Sequence, residues 1–426
     1  MGAEHVLLAR LYCPVSVQSP APIIPADAAI SDSERESVLR ILSAAAFLIF
    51  FKSYLVAPLI PSLSGEFHAS VQLVGLLIPA YLLPYGFSTL FYGPISDRVG
   101  RRPILLARLA AMALTCIGTA SAGSIWQLLI WRVIAGVSTG GIIPISLALF
   151  GDLYPYNQRG RPIGWLFGAI AGGMAFGSTF GAILNPIIGW RMLFLLIGVA
   201  SAIDLALAWR HRRLLDGIRG QHPPGVAAIV RNYWELLSDP RGGRTYGMIL
   251  LNGMFHSGIF AWLGLYFSRR YGLGDRGIGL ALLGYGVPGL LLGPFIGHLA
   301  DRFGRRLVIP AGLLLAAACG FALIPAMPIA CAAIAVTLLS LGYDMSHPPL
   351  AGIVTSLNRL RRGQALGLNA FVLFMGFGFG SLVFQLLLRG GFDVALGVFA
   401  AAQCVAGILA VRLFRPETAG AATLHG

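Results

Sequence analysis

Twelve apolar stretches, each near the roughly 20 residues a helix needs to cross a bilayer, limit what this chain can become more than any other feature. They fall near residues 39–60, 71–92, 103–121, 125–150, 162–186 and 189–209 and, after a polar gap, near 245–267, 276–298, 307–325, 328–350, 364–388 and 392–414. We number them spans 1 to 12. With 57% of its 426 residues hydrophobic and only 11% charged, the chain is too apolar for a soluble domain. The expectation is an all-α polytopic membrane protein.

Several other classes drop out. The net charge of +14 does not point to nucleic acid, because the basic residues sit between apolar runs and form no patch on a soluble face. Cys13, Cys116, Cys319, Cys331 and Cys404 have neither metal-ligand nor disulfide-like spacing, so no metal or cofactor is expected. The chain has no HExxH, P-loop, nucleophile elbow or paired-carboxylate constellation, which argues against an enzyme.

Basic residues also orient the chain. With the N-terminus inside, inward-facing segments hold 23 of the 31 Lys and Arg, outward loops hold 5, and Lys52, Arg108 and Arg132 lie within spans. That bias puts both termini in the cytoplasm and the protein in a bacterial plasma (inner) membrane. Residues 1–38 read as a cytoplasmic tail, 210–244 as a polar, Arg-rich cytoplasmic linker and 415–426 as a second tail. Between them lie two six-helix bundles, 39–209 and 245–414.

The bundles are copies of one unit. A shift of 204 residues lays Gly93, Asp97, Arg98, Gly100, Arg101 and Arg102 over Gly297, Asp301, Arg302, Gly304, Arg305 and Arg306. The same shift pairs Tyr81 with Tyr285, Pro84 with Pro288 and Phe51-Lys52-Ser53 with Phe255-His256-Ser257. A repeat with an even number of spans enters the membrane from the same side each time, so the halves are parallel and related by an axis along the membrane normal. Two such bundles can rock about a central site.

On these residues, and on Arg132-x3-Gly136-x3-Gly140 in span 4, the chain resembles the major facilitator superfamily of secondary transporters over almost all of residues 39–414. The resemblance implies twelve transmembrane helices in two pseudosymmetric six-helix bundles, with spans 1, 4, 7 and 10 lining a cavity. It also implies that Asp97, Arg101 and Asp152 form a charge relay that stabilises the outward-facing state. Arg98, Asp301, Arg302 and Arg305 belong to the same doubled loops. The second copy has Ser356 where the first has Asp152, so gating strength is expected mainly in the first loop.

Arg at a helix centre costs about 2.5–3.5 kcal/mol on insertion scales, so Arg132 is expected to face a watery cavity. The resemblance adds a role for it in proton coupling or solute contact. Lys52, the chain's sole lysine, lies near the midplane of span 1 with His256 at the equivalent place on span 7. The two are expected to face each other across the site and, with Arg132 and Tyr343, to bind the solute. Asp344 on span 10 is the leading candidate for a proton-coupling carboxylate, with His347 and Arg132 as helpers; Pro348-Pro349 should break that helix. A cavity holding Lys52, Arg132 and His256 against Asp344 favours an anionic or zwitterionic solute.

The expected function is movement of a small organic solute by alternating access, as proton-coupled efflux by a monomer. Two alternatives stand beside it: proton-coupled uptake of an organic anion, and a non-transporting sensor or assembly protein of the same fold.

Overall fold

The computed structural model describes residues 31–155, 158–216, 226–358 and 362–417, and the regular structure in them is helical. Ten of its helices are long and apolar enough to cross a membrane. One of them, Gly160–Arg210, has 51 residues, about 76 Å at 1.5 Å per residue, more than twice the ~30 Å of a hydrocarbon core. It turns back at Gly189, whose φ of 78° lies in the left-handed region that glycine tolerates. Spans 5 and 6 are therefore its two arms, joined at one residue. Span 8 is not among the ten because it is interrupted: Asp275–Ala281 and Val287–Phe303 flank an unwound stretch. With both arms and the interrupted span counted, the described chain makes twelve passes.

Span 1 starts at Asp32, ahead of the apolar run, so residues 32–38 of the expected tail are helix. A capping box explains the early start: the Ser31 hydroxyl accepts from the Glu34 N–H, and the Glu34 side chain accepts from the Ser31 N–H. The remaining passes are Val71–Gly75 with Pro79–Val99 (span 2), Arg101–Ala120 (3), Ile125–Thr139 with Ile142–Leu153 (4), Pro240–Tyr271 (7), Arg305–Ala322 (9), Ile329–Leu357 (10), Arg362–Leu387 (11) and Phe392–Leu413 (12). The linker carries a helix of its own, Val226–Ser238.

Packing repeats the internal symmetry. In the first half span 1 lies on 5, 2 on 4 and 3 on 6; in the second, 7 lies on 11, 8 on 10 and 9 on 12. Between halves, span 2 meets 11 and span 5 meets 8, again a symmetric pair. The small-residue faces allow close approach: a Cβ on Gly136 would stand 2.3 Å from the Tyr81 carbonyl of span 2, and one on Gly177 2.4 Å from the Phe51 carbonyl of span 1. The outer surface is apolar, with Trp126, Ile130, Ile187, Val199, Leu291, Phe295 and Ile408 exposed, the composition a lipid-facing surface requires.

One expectation fails. Span 10 runs unbroken through Pro348 and Pro349. Proline's φ near −65° suits a helix, and burial against span 9 holds the turn together. The two rings still remove the N–H groups that would reach the carbonyls of Asp344 and Met345, leaving one weak turn beside Asp344.

Candidate functional site

The two halves unwind at equivalent places. Span 2 leaves the helical pattern between Gly75 and Pro79, and span 8 between Ala281 and Val287. Irregular backbone at such depth is tolerated only where protein or water satisfies it. In the first half Arg132 does so: its Nε donates to the Leu77 carbonyl at 3.1 Å and an Nη to the Lys52 carbonyl at 3.4 Å. Its guanidinium also stacks over the Tyr81 ring at 4.3 Å. The Tyr81 hydroxyl shares a 2.9 Å hydrogen bond with Thr139.

Lys52 joins this cluster. Its Nζ lies 5.6 Å from the centre of the same Tyr81 ring and has no hydrogen-bond partner among the described residues. Lys52 and Arg132 are each 1% exposed. Lys52 does not face the second bundle, and helix geometry gives the reason. At about 100° per residue, Phe50 and Tyr54 share the face that meets Phe374 and Phe260 of spans 11 and 7. Lys52, between them in sequence, points the opposite way into its own bundle. The expected pairing of Lys52 with His256 across the site is therefore corrected.

His256 repeats that orientation in the second half. It contacts Tyr285, the counterpart of Tyr81, with the hydroxyl 2.9 Å from Nε2, and stacks on Tyr343 at 3.8 Å between centroids. Tyr343 in turn stacks on His347 at 5.3 Å, whose Nδ1 is buried without a partner among the described residues. Behind the stack a buried chain of hydrogen bonds, from Gln403 to Asn252 (2.9 Å) and from Asn252 to Ser346 (2.8 Å), ties spans 12, 7 and 10 together. The same repeat position thus carries a cation cluster in one half and a histidine–tyrosine stack in the other.

Between the bundles the lining is aromatic. Tyr54 meets Phe260 at 4.7 Å, Phe260 meets Tyr285 at 4.5 Å and Tyr85 meets Phe374 at 4.3 Å. Asp344 follows Tyr343 on span 10. Its carboxylate lies against Gly289 of the interrupted span 8, and its Oδ2 is buried with no hydrogen-bond partner among the described residues. It acts electrostatically on Tyr285 and Tyr343 of its own half and on Tyr54 of the other. The structure thus brings His256, Tyr343, His347 and Asp344 together, and Lys52 with Arg132 apart from them.

The arginine loops sit at one end of the bundles. In the first copy Arg101 and Asp152 form an ion pair. The side chains of Asp97 and Asp301 lie outside the described residues, Arg98 is exposed, and Arg302 stacks on its neighbour Phe303. In the second copy Arg305 lies against Gly352 of span 10, and the acid missing at Ser356 is supplied from beyond span 12. Glu417 accepts two hydrogen bonds from Arg241 (2.7 and 2.8 Å) and one from Arg244 (3.2 Å), while its carbonyl accepts from the Arg306 N–H. Burial pushes the Glu417 carboxyl up, but the Arg241 hydrogen bond and the charges of Arg241, Arg244 and Arg305 outweigh it and hold the group below its ordinary range. Sequence reasoning missed Glu417 because nothing local pairs it with residues so far upstream.

It also missed the closure at the opposite end. There Asp275, at the start of span 8, accepts hydrogen bonds from Ser62 of span 1 and, at 2.5 Å, from Asn185 of span 5. Nearby, Gly264 of span 7 packs on Pro58, and Gly75 of span 2 on the Trp262 ring. The bundles are latched together at the end away from the arginine loops.

Two duplicated six-span bundles, latched at one end around a buried aromatic seam, define a membrane transporter of the alternating-access kind. The model of the Major Facilitator Superfamily matches residues 42–357 and 245–425, and the chain belongs to that family. Among its relatives, the uncharacterized MFS-type transporter YceJ of Bacillus subtilis is 29% identical over 78% of this chain and 84% of its own. Citrate exporter 1 of Aspergillus niger is 24% identical over 65% of this chain and 58% of its own. The MFS antiporter QDR2 of Candida albicans is 26% identical over 41% and 35%. A bacterial homolog of the human lysosomal transporter Spinster, solved inward-facing and unoccupied, superposes with a TM-score of 0.73 at 18% identity, over 91% of this chain and 99% of that one.

Proposed function

We propose that the protein exports a small organic solute in exchange for protons, working as a monomer in a bacterial inner membrane with both termini in the cytoplasm. The observation that carries this reading is Asp344, a carboxylate inside span 10 whose Oδ2 is buried with no hydrogen-bond partner among the described residues. An ionisable residue inside a membrane span is costly and is kept for a use, and a carboxylate exposed to each side in turn can load and unload a proton. His347, one helical turn on, is the group to receive that proton; His256 and Tyr343 form the wall the solute passes. Lys52 and Arg132 act from inside the first bundle, holding the unwound turn of span 2 and transmitting its position to span 4. The antiporter and exporter among the relatives agree with outward transport.

On this orientation the latch around Asp275 closes the outer side, and the Arg101–Asp152 pair must break and reform as the cytoplasmic side opens and shuts. The test is proton movement in proteoliposomes loaded with a pH dye and challenged with pooled amphipathic solutes across an imposed pH gradient. Antiport predicts solute-dependent dissipation of an inside-acid gradient. Alkalinisation of the outer medium by added organic acids would instead mean uptake by symport, and no response to any pool would favour a non-transporting role.

A further inference from the structure

We propose that Ser340 and Asp344 of span 10 cap the inner helix of span 8, Val287–Phe303, which has no cap of its own, and that the charge on Asp344 sets how firmly that helix is held. Ser340 is then a positioning residue that acts through the carboxylate. The proton part rests on the transport reading; the cap does not. The first turn of a helix leaves N–H groups without partners inside it, and here each can be traced. Gly286, the residue before the helix, has a φ of 79° and makes no side-chain cap. The Val287 N–H reaches the Gly284 carbonyl and the Leu290 N–H the Gly286 carbonyl, while Pro288 has no N–H to place. The two that remain go to span 10. The Gly286 N–H donates to the Ser340 hydroxyl at 3.1 Å, and the Gly289 N–H donates to the Asp344 carboxylate, which also accepts from Ser340. Gly289 is the third residue of the helix, a position whose N–H a capping side chain ordinarily satisfies.

The internal repeat shows how the contact was built. The 204-residue shift lays Ser340 and Asp344 over Gly136 and Gly140 of span 4, and Gly289 over Tyr85 of span 2. In the first half the glycine is on span 4, and a Cβ on Gly140 would stand 2.6 Å from the Tyr85 carbonyl. In the second half the glycine has moved to span 8 and the side chain to span 10, and a Cβ on Gly289 would stand 2.8 Å from Asp344 Oδ1. A carboxylate is favoured at a helix N-terminus by the partial positive charge there, and its hydrogen bonds are roughly twice as strong as those of a neutral acceptor. A proton on Asp344 weakens both. The setting gives that change a use. The outer piece of span 8, Asp275–Ala281, is fastened to the first bundle through Ser62 and Asn185, whereas the inner piece is held by span 10. Between them lies the unwound turn, with Gly286 against Ala175 of span 5. A proton arriving on Asp344 therefore loosens the inner piece from the second bundle where the two bundles touch. The titratable groups facing Asp344 are Tyr54 of span 1, Tyr285 of span 8 and Tyr343 of its own span. His256 of span 7 and His347 stack on Tyr343, and span 9 presents Gly312 to Met345 and Ser346.

The test is hydrogen–deuterium exchange of the purified full-length protein in nanodiscs, read by mass spectrometry on peptides covering 286–292. Exchange reports local opening of the backbone and is independent of turnover. Wild type should show protection of this stretch that falls as pH falls, after correction for the intrinsic pH dependence of exchange. Ser340→Ala should exchange roughly tenfold faster there, and Ser340→Thr, which keeps the hydroxyl, should restore protection. Asp344→Asn, whose amide oxygen still caps, should keep most of the protection and lose its pH dependence, whereas Asp344→Leu should lose both. The equivalent turn of the first half, residues 78–85, should exchange as in wild type throughout. Unchanged protection of 286–292 in both Ser340→Ala and Asp344→Leu overturns the proposal, as does pH dependence that persists in Asp344→Asn. A loss in Ser340→Ala that spreads evenly over spans 8 and 10 overturns it too, because that is general destabilisation. The Ser340 pair keeps the test informative if Asp344→Leu does not fold. Protection that follows the expected pattern without solute-driven proton flux in proteoliposomes would sink the transport reading and leave the cap standing, whereas flux without that pattern would do the reverse.

Discussion

The cores of the two bundles occupy equivalent places and do opposite things. At the position shared by Lys52 and His256, a side chain leaves the first helix of its bundle and reaches the tyrosine beside an unwound turn, Tyr81 in one half and Tyr285 in the other. In the first half the third member is Arg132, permanently charged and anchored on backbone carbonyls. The second half has Val336 at that repeat position, and the space goes to a histidine–tyrosine stack ending at His347. Duplication supplied two equivalent scaffolds; divergence made one a rigid charge anchor and the other a histidine–tyrosine stack beside a carboxylate.

That contrast can be broken most severely at Arg132. Arg132→Met leaves the carbonyls of Leu77 and Lys52 unpaired, and hydrogen bonds to a charged group contribute about 1.5–3 kcal/mol each. The expected outcome is a melting temperature in detergent lower by many degrees. Val336→Met at the equivalent site should change it little, and equal losses would remove the asymmetry.

The loops offer the next test. Asp152→Asn should cut transport several-fold with normal membrane insertion, and the reversed pair Arg101→Asp with Asp152→Arg should recover part of it. Vesicle transport beside surface expression reads both effects.

In the second half Glu417→Gln should destabilise by about 1–3 kcal/mol, the range for a hydrogen-bonded charged group. Because the folded carboxyl is held below its ordinary value, its contribution is complete above the unfolded Glu value and is lost as pH falls through the folded one. Melting curves of wild type and variant should therefore converge in acid.

The smallest effect is expected at Lys52. Lys52→Met removes an orphaned donor beside a like charge, so stability should hold or rise slightly, by less than about 1 kcal/mol. A large loss would mean that the ammonium has a partner the geometry does not supply.

Much of the architecture was legible in the chain. Apolar run lengths gave the passes, and the Gly93 to Arg102 loop and its copy gave the duplication, since both follow from local composition and spacing. Direction was not legible. Lys52 and Tyr54 are two residues apart, and only the packing of Phe50 and Tyr54 on spans 11 and 7 shows which way each points. Composition likewise could not tell that Pro348-Pro349 would be carried through by packing, that span 8 would unwind at Gly286, or that Glu417 and Asp275 would close contacts with residues far away in sequence.

The moving charge is expected in the second bundle and the fixed charges in the first. The most direct test compares solute-driven proton flux in proteoliposomes of wild type, Asp344→Asn and Lys52→Met, with solute counterflow as the control for an intact pathway. Asp344→Asn is expected to lose proton flux yet keep counterflow, while Lys52→Met keeps both. Proton flux that survives in Asp344→Asn and vanishes in Lys52→Met would contradict it.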